Sequence, residues 1–511
     1  MTATIAPTIE RRGFLGLAAG ALAAAAGCAR RGSGHTRAGT VIMAADSVND
    51  IMPDVTDADF LVFSPLLEKD EQGAFVPRLA QSWERSADGR EWTYHLRRDA
   101  RWHDGVPVTA HDIKFTLDLV SLPETEGYSF ESVTVVDDYT VTVRERRFRH
   151  AEGYQDDIVY YPKHLLEGLD TKRFWSWEFW THPVGSGPFR FVRYQPGTMI
   201  EFEANPDYIL GKPKIDRLIL KFVGKAGLTE LESGQVDVVL EGRAADIPRV
   251  SADPRFRVYY QVRPAAWVIY WKVGHSLFRD PRVRRALTLA IDRGECLRTH
   301  NLPADVPWSD GVFMPRVLFG ANLPAPLPYD PAEANALLDA AGWHDRNGDS
   351  VRQRDRRAFR FTALVPSGNL VGLAVLVQAQ LRRVGVQMEI QVLDGSVVGR
   401  RAGTGEFEAS FGKNRPWSPD PRTYAGRGNA TGYSNLEAFR LIDAAEAATN
   451  EDDLDGIYRE LTRVYRDDPP FTQLVPLVLV YFADRRLRGL RRFHAAPDRY
   501  MENFWLDDRG E

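Results

Sequence analysis

Residues 415 to 421 read Arg-Pro-Trp-Ser-Pro-Asp-Pro, which places a guanidinium, an indole and a carboxylate in one short proline-rich stretch. Asp420 has the chemistry to hold an ammonium group: a buried cation needs an anionic partner, because an unpaired charge away from water is costly. Prolines on both sides stiffen such a loop and reduce the ordering cost of binding. Trp417 can wall the pocket by apolar contact, and Arg415 can meet a ligand carboxylate in bidentate fashion. The same residues also make a surface turn in which Asp420 accepts from nearby backbone. Trp267, Tyr270 and Trp271 form a second aromatic group on a strand-like run. Alternation sends Trp267 and Trp271 to one face and Tyr270 to the other, to line a cleft or to fill a core.

Catalytic motifs are missing from the chain. There is no Gly-x-x-x-x-Gly-Lys-Ser/Thr loop and no His-Glu-x-x-His, and Gly185-Ser186-Gly187 lacks the spacing of a nucleophile elbow. The 11 histidines are scattered, and His103-Asp104 reads as a polar cap in a turn. Asp345-Arg346-Asn347-Gly348-Asp349-Ser350 begins like a calcium loop, but Ser350 stands where Gly is needed and Arg356 where a bidentate Glu is needed. A tight turn accounts for it better. A catalyst would need clustered acid and base groups. The reading is therefore a binding protein, not an enzyme, with no cofactor and no metal.

Composition agrees with a globular class. Of 511 residues, 44% are hydrophobic and 26% charged, and the formal net charge is −5 with both signs interspersed. No basic face advertises a nucleic-acid partner. The length suggests two or three structural units. At the start, Arg11-Arg12 precedes an apolar, Ala-rich run from Leu17 to Gly27, shorter than the about 20 residues of a membrane span. This resembles a twin-arginine export signal, and Ala25-Ala26-Gly27-Cys28 resembles a lipoprotein cleavage box. Lipidation of Cys28 would tether the protein outside the cytoplasmic membrane; simple cleavage would release it there. Residues 29–38 read as a flexible stalk. Of the two cysteines, Cys296 then has no intrachain partner and reads as a packed apolar residue in a helix.

Strand patterns fall at 39–45, 81–98 (a hairpin turned at Asp88-Gly89), 132–143 (turned at Asp137-Asp138), 184–208, 218–223, 236–240, 257–273, 359–365, 386–392 and 474–482. Helical patterns fall at 60–67, 109–119, 281–293, 330–341, 370–384, 439–448 and 454–465. This is an α/β chain in two blocks, before and after roughly residue 270, joined by crossing strands. Trp83, Trp92 and Trp102 are expected in a core, Gly185 and Gly187 in turns, and the arginines of helix 281–293 in solvent.

Four blocks then carry a family resemblance: Pro77-Arg78-Leu79-Ala80-Gln81-Ser82-Trp83 with residues 88–112; Val184-Gly185-Ser186-Gly187-Pro188-Phe189 with Asn205-Pro206-Asp207-Tyr208; residues 278–293; and Gly432-Tyr433-Ser434-Asn435. In this order they resemble the family 5 extracellular solute-binding proteins, the dipeptide-, oligopeptide- and nickel-binding proteins of ABC importers. The resemblance implies a class II, two-lobed periplasmic-binding fold with an extra inserted subdomain. Lobe I would comprise 39–58, 182–265 and 482–511, the inserted subdomain 59–181, and lobe II 266–481. It implies a monomer that captures a peptide-like solute between closing lobes, outside the cytoplasm, and delivers it to a membrane permease. Trp417-Ser418-Pro419-Asp420 matches the stretch whose carboxylate holds a peptide's α-amino group. Lys272 stands where the family usually has Asn. An oligosaccharide, an opine or a nickel complex remain alternative ligands, and an exported enzyme or a sensory receptor alternative classes.

Overall fold

Alternating β-branched and apolar residues build one long sheet. Its principal strands are β1 (Thr40–Ala45), β2 (Phe189–Gln195), β3 (Met199–Ala204), β4 (Arg217–Phe222), β5 (Val238–Val239), β6 (Phe256–Trp271), β7 (Arg360–Pro366), β8 (Gln387–Leu393), β9 (Ala409–Asn414) and β10 (Phe471–Asp484). They lie in the order β8-β7-β9-β6-β10-β5-β1-β4-β3-β2, with Phe493–His494 paired beside β6. The computed structural model describes residues 39–45, 59–69, 75–122, 130–146, 158–306, 327–368, 370–414, 429–448, 450–490, 493–494 and 505–507. Thr36–Glu511 forms one compact unit. Met1–His35, with the export signal and Cys28, lies outside the described residues. No helix among the described residues is long and apolar enough to cross a membrane.

The antiparallel pair β6 and β10 runs the length of the sheet, with a register slip between Val262 and Ala266. At one end Tyr259 and Tyr481 join the core formed with β1 to β4. At the other end the two faces of β6 enter different cores. Ile269 and Trp271 pack toward helices α1 (Pro281–Leu289) and α2 (Leu370–Arg383). The short helix α3 (Gly395–Thr404) follows β8. Val268, Tyr270 and Phe471 face α4 (Leu436–Ala447) and α5 (Glu451–Asp467). The predicted alternation of Trp267 and Trp271 against Tyr270 is thus realised.

A separate four-stranded antiparallel sheet, Ala80–Arg85, Glu91–Leu96, Thr140–Glu145 and Phe130–Asp137, carries both predicted hairpins. Helix Ala110–Val120 covers it, started by a reciprocal Thr109–Asp112 capping box. Trp92 and Trp102 are buried in this core and Trp83 packs against it, as expected.

Three expectations need correction. The predicted helix 60–67 stops after Asp59–Val62. Pro65 follows, and the Val62 carbonyl accepts from Gly187 N at 2.7 Å instead of from its own helix. Gly185 and Gly187 are not needed for turn conformations. A Cβ on Gly185 would stand 1.8 Å from the Val62 carbonyl oxygen, so these glycines permit close approach of two backbones. Finally, helix 281–293 breaks at Leu289, Asp292 caps a second helix Arg293–Thr299, and Arg284 is not solvated. Arg284 is 1% exposed, paired with Asp468, and donates to the carbonyls of Phe278, Arg279 and Pro469. A partner at every nitrogen of the guanidinium is what makes that burial tolerable.

Candidate functional site

The site grows out of the order in which β7, β8 and β9 are connected. Chain order passes from β7 through α2 to β8, then through α3 back to β9, while β7 lies between the other two in the sheet. β8 and β9 both run parallel to β7. Right-handed crossovers in opposite directions put α2 and α3 on opposite faces of the sheet. The reversal leaves a crevice between β7 and β9 at their carboxyl ends, the place where open α/β sheets bind ligands.

A cavity of about 800 Å³ occupies that crevice. Its walls come from Pro366 to Gly368 at the end of β7, from Ser410 to Lys413 on β9, from α3, and from Trp267 and Tyr270 on β6. Ser410 stands opposite Tyr270 in the ladder, so both side chains leave the same face of the sheet. Tyr270 is 8% exposed, and its hydroxyl donates to the Lys413 carbonyl at 3.2 Å. Trp267 is half-buried, with the Lys413 ammonium 4.8 Å above its ring. The Ser410 hydroxyl is buried and has no hydrogen-bond partner among the described residues.

Helix α3 forms one side of the cavity with Gly395, Val398, Gly399, Ala402 and Gly403. Their spacing puts all five on one helical face. A Cβ on any of the three glycines would meet no atom of the described residues within 4 Å, and none of the three has the positive φ that calls for glycine. Inside a helix, as at Gly399, glycine costs about 1 kcal/mol relative to alanine, and neither close packing among the described residues nor backbone conformation explains these glycines. The helix forms because its ends are well made. The Asp394 carboxylate accepts from Ser396 N and Ser396 Oγ at 2.8 and 2.6 Å, the hydroxyl first among the causes that hold it below its ordinary pKa. Gly405 closes the helix at φ 76°. Sequence reading missed α3 and β9 because glycine counts against a helix. The usable signal was Asp394 ahead of Gly residues spaced by four, with Gly405 behind.

The aromatic candidates separate. Trp267 and Tyr270 line the cavity, whereas Trp271, expected with them, is a core residue. It is 0% exposed, packs against Phe278 and Phe361, and donates through Nε1 to Thr472 Oγ1 at 3.1 Å. Its ring lies in the core with α1 and α2 and not in the cavity wall. Arg415, Trp417 and Asp420 lie outside the described residues. Residues close to that segment in the chain do meet the cavity: Lys413 before it and Asn429 after it are both in the wall. Lys272, at the end of β6, donates to the Ala430 carbonyl at 2.7 Å, and the absent side chain of Gly405 leaves room for its ammonium.

The charge on the described wall is that of Lys413, and no carboxylate is among its lining residues. Among the described residues no group of three or more His, Cys, Asp or Glu could hold a metal. The Asp345 carboxylate is engaged by its own turn, accepting from Gly348 N at 2.8 Å and Ser350 N at 3.0 Å. Cys296 is fully buried, and burial pushes its thiol up to about 12, so it is inert packing and no nucleophile. A large, mostly apolar cavity with a few polar groups suits the binding of a small ligand.

This geometry is that of a solute-binding protein, and the comparisons with known proteins define the class. The chain matches the family described as bacterial extracellular solute-binding proteins, family 5 Middle, over residues 74–435. It belongs to that family, and its fold is the two-lobed α/β binding-protein fold. It is 27% identical over 483 residues to the oligopeptide-binding protein AppA of Bacillus subtilis (strain 168), covering 88% of this chain and 87% of that one. The solved structure of Bacillus subtilis AppA in complex with a nonapeptide has a TM-score of 0.67 at 24% identity, covering 92% of this chain and 99% of that one. The structure of NikZ from Campylobacter jejuni in complex with Ni(L-His) has a TM-score of 0.71 at 23% identity, covering 91% and 99%.

Proposed function

We propose that this protein captures a peptide-like solute in the cavity between β7 and β9 and delivers it to a membrane permease. The observation that carries the reading is the position of the cavity. It lies at the crossover reversal, and the wall ends at Lys413 and Asn429, on either side of the segment that bears Asp420. The resemblance of this chain to an oligopeptide-binding protein supports the ligand class. Trp267 and Tyr270 form the wall, Trp271 braces the strand behind them, and Trp417 adds apolar cover. Asp420 holds the ligand's ammonium, the anion that the described wall lacks. Lys413 or Arg415 meets its carboxylate. Lobes with the boundaries given above close about the β6–β10 pair. The protein acts as a monomer, exported by a twin-arginine-like signal and anchored through Cys28.

Asp420→Asn tests the clamp. In calorimetric titrations it removes at least tenfold of the affinity for di- to pentapeptides with free amino termini and spares their acetylated forms. Equal loss for both would mean that Asp420 acts only through loop structure. If peptides give no thermal shift to the unaltered protein while sugars do, the peptide reading fails.

A further inference from the structure

Glycine is the poorest ordinary residue for a helix interior, yet α3 carries three on the face that borders the cavity. Elsewhere in the described helices, single open glycines occur at Gly372 and Gly456, and among the described residues only α3 repeats them at four-residue spacing. With Val398 and Ala402 between them, the face is a shallow trough floored by backbone. In the wall of the same cavity, Ser410 on β9 is 1% exposed, and its hydroxyl has no hydrogen-bond partner among the described residues. A buried hydroxyl without a partner is unfavourable, so a group carried by the ligand is its natural complement.

Resting on the capture reading above, we infer that the Gly395–Gly399–Gly403 face of α3 and Ser410 form a specificity subsite for a large aromatic side chain of the ligand. The ring lies flat against the helix backbone, and the Ser410 hydroxyl pairs with a polar atom beside that ring. Small side chains leave the trough empty, so discrimination favours aromatic over small residues.

The test uses the full-length protein freed of bound solute by unfolding and refolding, with Gly399→Leu and Gly403→Leu beside it. Because a Cβ meets open space at both positions, the thermal midpoint without ligand stays or rises. Emission of 1-anilinonaphthalene-8-sulfonate, an aromatic probe that is not a peptide, falls at least fivefold in the variants. The three tripeptides with one tryptophan among two alanines are titrated by calorimetry. The tightest of them weakens at least tenfold, and trialanine changes less than threefold. A lowered midpoint overturns the inference, since it means that protein already covers the glycine face. Unchanged probe emission, or equal loss for trialanine and the tryptophan peptides, overturns it too. If no tripeptide binds the unaltered protein, the peptide reading falls, and the dye alone decides whether the trough exists.

Discussion

Arg284 shows how a single residue can leave the class its sequence suggests. Its neighbours Val283, Ala286 and Leu287 are core residues of α1, and a cation beside them reads as a solvated flank. The end of α5 decides otherwise. Asp468 pairs with the guanidinium and also accepts from Asn435 Nδ2 at 2.7 Å, while Asn435 caps α4. Burial lowers Arg284 to about 10, still charged at neutral pH. Asp468→Ala leaves that charge buried and unpaired and lowers stability by about 3 kcal/mol in urea unfolding. Arg284→Met, which removes the cation as well as its pairing, costs clearly less. Equal costs would show that the ion pair itself is not what matters.

At the scale of elements, two glycines with opposite reasons make a matched comparison. Gly185 lets residues 185–187 press against Leu61 and Val62, where any Cβ collides with backbone. Gly185→Ala therefore lowers stability by about 3 kcal/mol, with the Val62 to Gly187 hydrogen bond displaced. Gly399→Ala meets open space and raises stability by about 0.5–1 kcal/mol. Urea midpoints read both, and a destabilised Gly399→Ala would mean that α3 is packed where it borders the cavity. Neither reason is legible in the chain. Both residues sit in ordinary Gly-containing stretches, and only the distance to a neighbour distinguishes them. Hairpins and capped helices were legible, because Asp88-Gly89 and Thr109 with Asp112 act locally.

At the scale of the molecule, His103 fastens the loop beside the four-stranded sheet to residues 185–187. Its Nδ1 accepts from Gly185 N at 3.2 Å and its Nε2 donates to the Gly187 carbonyl at 3.1 Å. That pattern requires the neutral ring. Burial, with a smaller push from Arg190 against the pull of Asp104, lowers the imidazole to about 4. Between its ordinary value of 6.5 and about 4 the unfolded chain binds a proton that the folded chain refuses. Stability therefore falls as pH drops through that window and is complete above it, by up to about 3 kcal/mol. His103→Gln removes that part of the slope. Thermal midpoints of the two proteins from pH 7 to 4.5 converge as the pH falls; parallel curves would show that His103 does not titrate with unfolding.

Period-two and helical patterns, turn residues and four ordered motifs were enough to place most strands, most helices and the family, because each depends on residues close in the chain. The same stretch of sequence nominated Trp267 and Tyr270, which do line the cavity, and Trp271, which does not. The tertiary structure decided what depends on distance: that Arg284 meets Asp468, that Gly185 meets Val62, and that α3 and Ser410 border one cavity. Its deepest contribution is the cavity itself. That exists because β9 returns to the far side of β7, a choice of strand order made by long-range packing and carried by no local pattern.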